Sequence, residues 1–456
     1  MNFILNDISI RIVGVFIASI ITATVTAKHY TQEFKTQYKQ RVIVTTDIGG
    51  TDPDDEQSMI HLLLCADRLH IEGLICGLAW VKMPFGIGRL QNIINAYDSV
   101  YINLRQHSDG YPTAKYLRQI ATTGQSEPGM SGVGKGKDTP GSELIIAAVD
   151  SKDPRPIWLT AWGGMNTIAQ ALWKVKSTRT AKDVARFTSK IRIYDILGQC
   201  DAGAWIAKNF PDIIYIRNKH IYGWGPDDKW TDTNIQAFGP MGRIYPDRRW
   251  ATEGDSPAFF YMLDNGLNIP DSVNFGGWGG RFSTTPVTGI RGMKFVAESG
   301  HNENTYDPYS MLSNTSDGSL SITRWREDIL NDFASRIQWS IKNKRNEANH
   351  HPEICMMGES HPSRRWLKIY SQAGSTINLD ASESKDPDGD SLKYKWYVYS
   401  EPTSYNDKIN IEDNNLPLAK IHIPADAKGK TIHIILEVTD DGTPILKSYR
   451  RIVIYT

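Results

Sequence analysis

Five acidic residues, Asp47, Asp52, Asp54, Asp55 and Glu56, fall within ten positions of the run Thr45-Thr46-Asp47-Ile48-Gly49-Gly50-Thr51-Asp52-Pro53-Asp54-Asp55-Glu56. Hard divalent cations take several oxygen ligands at once, and carboxylates on a tight loop supply them, so calcium or magnesium fits this donor set. Gly49 and Gly50 let the backbone turn so that acids several positions apart converge. A second reading covers part of the run: Asp54, Asp55 and Glu56 suit the first turn of a helix, where the dipole favours negative charge. That reading leaves Asp47 without a role, which favours the cation site.

The flanking sequence must place these acids. Arg41 to Thr46 is a short β-branched run ending abruptly in Asp47, as a buried strand feeding a loop does. Glu56 to Leu69 carries apolar residues at helical spacing, and Ile71 to Leu78 is strand-like again, giving one βαβ unit. The alternation continues: helices are expected at Gly141–Val149, Asn166–Trp173 and Ala202–Lys208, strands at Pro156–Ala161, Ile191–Ile196 and Ile213–Ile216. Such alternation predicts a mostly parallel sheet covered on both faces, with ligands at the carboxyl ends of its strands, where Asp47 sits. From Tyr222 to Phe282 the pattern breaks into Gly-, Trp- and Pro-rich sequence suited to loops over a site. Thr323 to Ile341 is an amphipathic helix that closes this domain. Beyond it, Thr376–Leu379, Leu392–Tyr399, Leu418–Ile423, Thr431–Thr439 and Tyr449–Tyr455 read as short strands between turn clusters, which predicts an all-β, immunoglobulin-like sandwich with Trp396 in its core.

At 456 residues the chain exceeds what one core organises. The expected division is a signal peptide over 1–27, a linker over 28–40, an α/β domain over 41–345 and the sandwich over 346–456. Ile12 to Ile21 is an apolar run too short for a comfortable membrane span, and Val25 and Ala27 supply small residues before Lys28, so an exported, periplasmic or extracellular protein is expected, free of the membrane after cleavage. Lys+Arg and Asp+Glu both number 51, and this zero net charge argues against a nucleic-acid partner. Cys65, Cys76, Cys200 and Cys355 have no metal spacing and read as buried thiols, although an oxidising compartment would permit one bridge. Several of the 13 Trp lie near glycines, among them Trp80, Trp162, Trp224 and Trp278. Aromatic rings pack against the apolar faces of sugars as readily as they fill cores, so both roles stay open.

Certain motifs carry a resemblance: Thr46-Asp47-Ile48-Gly49-Gly50 with Asp54-Asp55, Gly141-Ser142-Glu143-Leu144, Trp162-Gly163-Gly164-Met165-Asn166-Thr167, Glu253-Gly254-Asp255-Ser256-Pro257, Trp278-Gly279-Gly280-Arg281-Phe282 and Trp325-Arg326-Glu327. The chain resembles the inosine-uridine nucleoside hydrolase superfamily. It more closely resembles an exported nucleoside-hydrolase-like family, sometimes labelled cellulose-binding, with a C-terminal immunoglobulin-like domain. The resemblance implies a Rossmann-like α/β fold of nucleoside hydrolase type. It further implies Asp47, Asp55, Asp255 and the main-chain oxygen of Trp162 as calcium ligands, Asp54 as acceptor of sugar hydroxyls, and Asp47 as the base that activates a water for attack on an anomeric carbon. Departures from the pattern are Thr51, Asp52 and Pro53, inserted ahead of the Asp pair, Trp80 where a ribose-binding Asn is expected, and Gly254 where a leaving-group His is expected. Glu253 or Glu298 is the candidate replacement acid. Trp80, Asn166 and Trp278 are the further substrate contacts expected, although Asn166 also suits a helix cap.

The function expected is metal-dependent hydrolysis of a glycosyl bond in a carbohydrate or nucleoside-like molecule. Its rival is a carbohydrate-binding protein, with a cellulose-like polysaccharide as partner, that keeps the site without turnover. Ser142 lacks the nucleophile-elbow context of a serine hydrolase. His301 reads as a loop histidine or a titrating site group, and Asp380, Asp386, Asp388 and Asp390 as a turn or a structural calcium site.

Overall fold

The computed structural model describes residues 30–35 and 38–456; the expected signal segment lies outside the described residues. Eight strands form the first sheet: β2 (Arg41–Thr46), β3 (His70–Cys76), β4 (Ala121–Thr123), β5 (Ile157–Ala161), β6 (Ile191–Ile196), β7 (Ile214–Asn218), β8 (Val287–Thr288) and β9 (Ser310–Ser313). Their order is β4-β3-β2-β5-β6-β7-β9-β8, parallel except for β8. β2 lies inside the sheet and is buried along its whole length, which is why it reads as a continuous apolar run. Val42 and Val44 point into one apolar layer and Ile43 into the other. Helices α1 (Asp54–Leu64), α2 (Ile87–His107) and α3 (Ala114–Ile120), with the helix Arg326–Trp339, cover the first face. Helices α4 (Pro140–Asp150), α5 (Asn166–Thr178) and α7 (Ala202–Asn209) cover the second, with α6 (Ala181–Ser189) contributing Phe187. Ser142 closes the capping box of α4 with Thr139 and is fully buried. All four cysteines are free and buried.

The remaining strands build a sandwich. One sheet has the order β1-β10-β16-β15-β12, from β1 (Tyr30–Lys35), β10 (Trp366–Ser371), β16 (Lys447–Tyr455), β15 (Thr431–Thr439) and β12 (Lys393–Val398). The other is β11-β14-β13, from β11 (Thr376–Asp380), β14 (Leu418–His422) and β13 (Asn410–Glu412). Trp396 is buried between them. The expected linker is corrected here: part of it is β1, paired antiparallel with β10, so the chain touches the sandwich before entering the α/β domain. The outer face of the larger sheet packs on the α/β domain, and Tyr399, Ile435 and Tyr449 join the α/β apolar core. Among the described residues no helix is long and apolar enough to cross a membrane.

Candidate functional site

A cavity of about 860 Å³ opens at the carboxyl ends of β2, β5, β6 and β7, where crevices of open α/β sheets bind ligands. Asp47 follows β2 directly. The Gly50 amide donates to the Asp47 carbonyl at 3.0 Å, and Gly49 takes φ +90°, so the turn is tight and left-handed. This turn brings the first residues of α1 back over the strand end. The carboxyl groups of Asp47 and Asp55 lie close enough to share a proton when one of them is protonated, and Thr46 Oγ1 donates to Asp55 in a short contact. The backbone after β5 passes so close that a Cβ on Gly163 would lie 2.4 Å from Asp47 Oδ1. Only a glycine there leaves Asp47 its place.

Asp255 arrives from about 200 residues away in sequence, yet oxygens of Asp54, Asp55 and Asp255 all lie within 4.8 Å of one another. Two local features aim it. Glu253 sits at φ +49°, an uncommon conformation for a non-glycine residue that turns the chain sharply. Asp255 then occupies the N-cap of the short helix Ser256–Phe260 without using its side chain as a cap, and its carboxylate faces the cavity instead.

This arrangement is electrostatically expensive. Burial is the largest cause raising every one of the four acids: Asp47 to about 6, Asp54 to about 8, and Asp55 and Asp255 well above the usual range, with the neighbouring carboxylates adding to Asp54, Asp55 and Asp255. No Lys or Arg is among the causes for any of the four. Asp255 Oδ2 is buried and has no hydrogen-bond partner. A buried, unpaired acceptor is costly, and a cluster of hard oxygen donors without a basic partner is what a calcium-type ion satisfies. The residues present therefore fit a divalent cation held by Asp54, Asp55 and Asp255, with Asp47 beside Asp55.

Trp162 lines the cavity, and its main-chain oxygen accepts from Gln199 Nε2 at 2.6 Å. Trp80 also lines it. Four other expected residues do not. Glu253 is fully buried, with its carboxylate accepting from Tyr245 Oη at 2.7 Å and Ser256 Oγ at 2.6 Å and meeting His61 Nδ1 at 2.7 Å, so it braces the loop and faces no ligand. Asn166 is buried beside Glu127, whose carbonyl it bonds at 2.8 Å, and Trp278 is buried in the apolar core against Phe260 and Tyr449. Glu298 is exposed and pairs with Lys294 on its own helix. The expectation of Glu253 or Glu298 as acid, and of Asn166 and Trp278 as substrate contacts, is thus corrected: their polar atoms are engaged elsewhere or their rings are in the core.

His301 is a strut. Its Nε2 lies 2.8 Å from the Trp80 carbonyl and its Nδ1 3.4 Å from Asp201 Oδ1, and the Asp201 bond raises its pKa above the ordinary histidine value. Sequence reasoning missed Tyr222, Gln199, Arg248 and Trp250, all of which line the cavity from loops. Tyr222 is the notable one: a Cβ on Gly254 would lie 2.7 Å from Asp54 Oδ2 and 3.4 Å from the Tyr222 ring, so this ring flanks Gly254 and Asp54. Although the side chain is 46% exposed, partial desolvation, then the nearby Asp54 charge, raises its pKa. In the sandwich, Asp386, Asp390 and Asp440 also approach one another, while Asp380 bonds Ser382 and Asp388 bonds His350. There Asp386 Oδ1 accepts the Asp388 and Asp390 amides, as turn chemistry requires.

Two family models match the chain: a cellulose-binding Sde182, nucleoside hydrolase-like domain over residues 41–282, and the C-terminal domain of cellulose-binding protein Sde0182 over 376–456. A solved structure described as a nucleoside hydrolase-related hypothetical protein from Saccharophagus degradans that is associated with carbohydrate metabolism is 46% identical, with 92% of this chain and 100% of that one covered at a TM-score of 0.87. No curated protein matches the chain.

Proposed function

The chain belongs to the cellulose-binding Sde182 family with its nucleoside hydrolase-like domain, and from that premise we propose that it is an exported, calcium-dependent hydrolase of glycosyl bonds in carbohydrate. One observation carries the reading: four carboxylates from two remote segments converge in one cavity, with a buried and unpaired Asp255 oxygen among them. Asp54, Asp55 and Asp255 would hold the cation, with Asp47 and the Trp162 carbonyl beside them. When bound, such a cation offsets the carboxylate charge and acts as a Lewis acid toward the oxygens it touches. Asp54 then accepts hydrogen bonds from sugar hydroxyls. Asp47 takes the proton of the water whose oxygen bonds to the anomeric carbon as the bond to the leaving group breaks. The surrounding carboxylates stabilise the positive charge that develops on the sugar ring. Tyr222, beside Asp54, is the donor for the departing atom.

A second reading, a carbohydrate-binding protein without turnover, is favoured by a specific observation: neither Glu253 nor Glu298 faces the cavity, and Gly254 offers no side chain to a leaving group. The experiment that separates the two is a panel of glycosides and nucleosides, with calcium or chelator, on wild type, Asp47→Ala and Tyr222→Phe. Turnover that requires both calcium and Asp47 is the expected result for the enzyme. Calcium-dependent sugar binding with no turnover establishes the second reading, and sugar handling indifferent to calcium and to Asp47 overturns both.

A further inference from the structure

Trp250 is 64% exposed and Tyr222 46%, and both line the opening of the acidic cavity. A large aromatic side chain left in water forgoes the stabilisation that burial would bring, so its retention at a cavity mouth calls for a reason. The Trp250 ring is not loose. The Arg249 guanidinium carbon sits 4.4 Å from its centroid, a cation–π distance. Arg249 Nη1 is in turn fixed at 2.8 Å to the carbonyl of Thr51, a residue of the same loop that carries the aspartates. One face of the indole is therefore shelved on a cation anchored to the acidic loop. No other ring or cation stacks on it among the described residues, and the side chain is 64% exposed.

Most loop residues flanking Trp250 offer no side-chain group to the edge of a nucleobase, and the polar side chains lining the cavity from nearby loops are Tyr222, Gln199 and Arg248. Gly223, Gly225, Pro226 and Ala251 contribute no side-chain donor or acceptor, Thr252 Oγ1 is spent on the Pro226 carbonyl at 2.8 Å, and Arg248 Nε is 3.4 Å from Asp228. A flat apolar face with few edge partners beside it suits the CH face of a sugar, which stacks on an aromatic ring and needs no hydrogen bond in its plane. The cavity, about 860 Å³, exceeds what one sugar ring fills and lies toward the upper end of the roughly 300–1,000 Å³ of small-molecule sites.

We propose that Trp250, shelved on Arg249, is the subsite for the second unit of a sugar chain whose end is held at the aspartates, so that the ligand is an oligo- or polysaccharide terminus rather than a nucleoside. The inference rests on the carbohydrate reading above and narrows it. It is tested by calorimetric titration of the full chain in calcium with mono-, di- and trisaccharides of the β-glucan, xylan and arabinan series and with uridine and inosine, on wild type, Trp250→Ala, Trp250→Phe, Arg249→Ala and Asp54→Asn. For the series that binds, wild type should prefer disaccharide over monosaccharide. Trp250→Ala should cut that preference about tenfold, Trp250→Phe should restore most of it, and Arg249→Ala should fall between. A preference that Trp250→Ala leaves intact, a wild type without chain-length preference, or tighter binding of a nucleoside than of any disaccharide overturns the proposal. Asp54→Asn separates the two readings: if it leaves disaccharide binding unchanged the aspartate site itself is wrong, whereas if it abolishes all binding while Trp250→Ala changes nothing, only the subsite is wrong.

Discussion

At the scale of single residues, the acids near Asp47 make a pH-dependent charge load. Their folded pKa values are raised above the ordinary aspartate value of 3.8, Asp47 to about 6 and Asp54 to about 8. Groups raised on folding contribute stability that is full below the unfolded value and is lost as pH rises through the folded one. Chelated protein should therefore lose melting temperature progressively between about pH 4 and pH 8, and calcium should restore it at the alkaline end, because a ligand bound only by the native state stabilises it. Asp255→Asn, which removes one buried ionisable carboxyl, should make the chelated protein's melting temperature fall less as pH rises and abolish the calcium response. Scanning calorimetry at several pH values checks this, and wild type that melts identically with calcium and chelator at pH 8 contradicts it. Asp47, Asp54 and Asp55 were legible in the sequence because the strand, the glycines and the helix start are contiguous. Tyr222 and Trp250 were not, because nothing local distinguishes a loop aromatic that lines a cavity from one that fills a core.

At the scale of elements, hydrophobic period placed most of the parallel sheet within a few residues of its observed bounds. Ile191–Ile196 matches β6 at both ends, and Gly141–Val149 differs from α4 by one residue at each. The long helix α2 was not anticipated, although Leu90, Ile93, Ile94, Tyr97, Val100 and Leu104 are buried at helical spacing along it. β1 was hidden for a physical reason. The strand is six residues long and mostly polar in sequence, too short to carry a clear hydrophobic period, and its pairing with β10 spans more than 300 residues. Deleting residues 30–35 should bare the edge of β10, where unpaired amides and carbonyls template association. The expected outcome is a lower melting temperature and concentration-dependent aggregates by light scattering; a deletion that stays monomeric and equally stable would show that β1 protects nothing.

At the scale of the whole molecule, the two domains share a buried interface. Arg451 on β16 is fully buried, donates through Nε to the Leu267 carbonyl at 2.9 Å and through Nη2 to the Gly276 carbonyl at 2.8 Å, and its pKa is pushed down to about 10 by burial. Lys447 reaches Asp328 at 3.0 Å, and Trp339 Nε1 donates to the Asn349 carbonyl at 2.9 Å. Such an interface couples the halves, so the chain should unfold in one calorimetric transition, with matching van't Hoff and calorimetric enthalpies. Arg451→Met should cost about 3 kcal/mol, given about 1.5–3 kcal/mol for each charged hydrogen bond lost; two separate transitions in wild type would contradict the coupling. The sequence by itself determined the alternating α/β order, the sandwich and the local acids, because each is written in short-range period or in contiguous residues. The family resemblance already implied that Asp255 joins the acidic loop; only the tertiary structure decided that Asp54 shares that cluster while Glu253, two residues before Asp255, turns away, that Asn166 and Trp278 stay out of the cavity, and that an N-terminal strand completes a C-terminal sheet. Those outcomes depend on contacts between segments from tens to hundreds of residues apart, where a side chain's role is set by what faces it rather than by what precedes it in the chain.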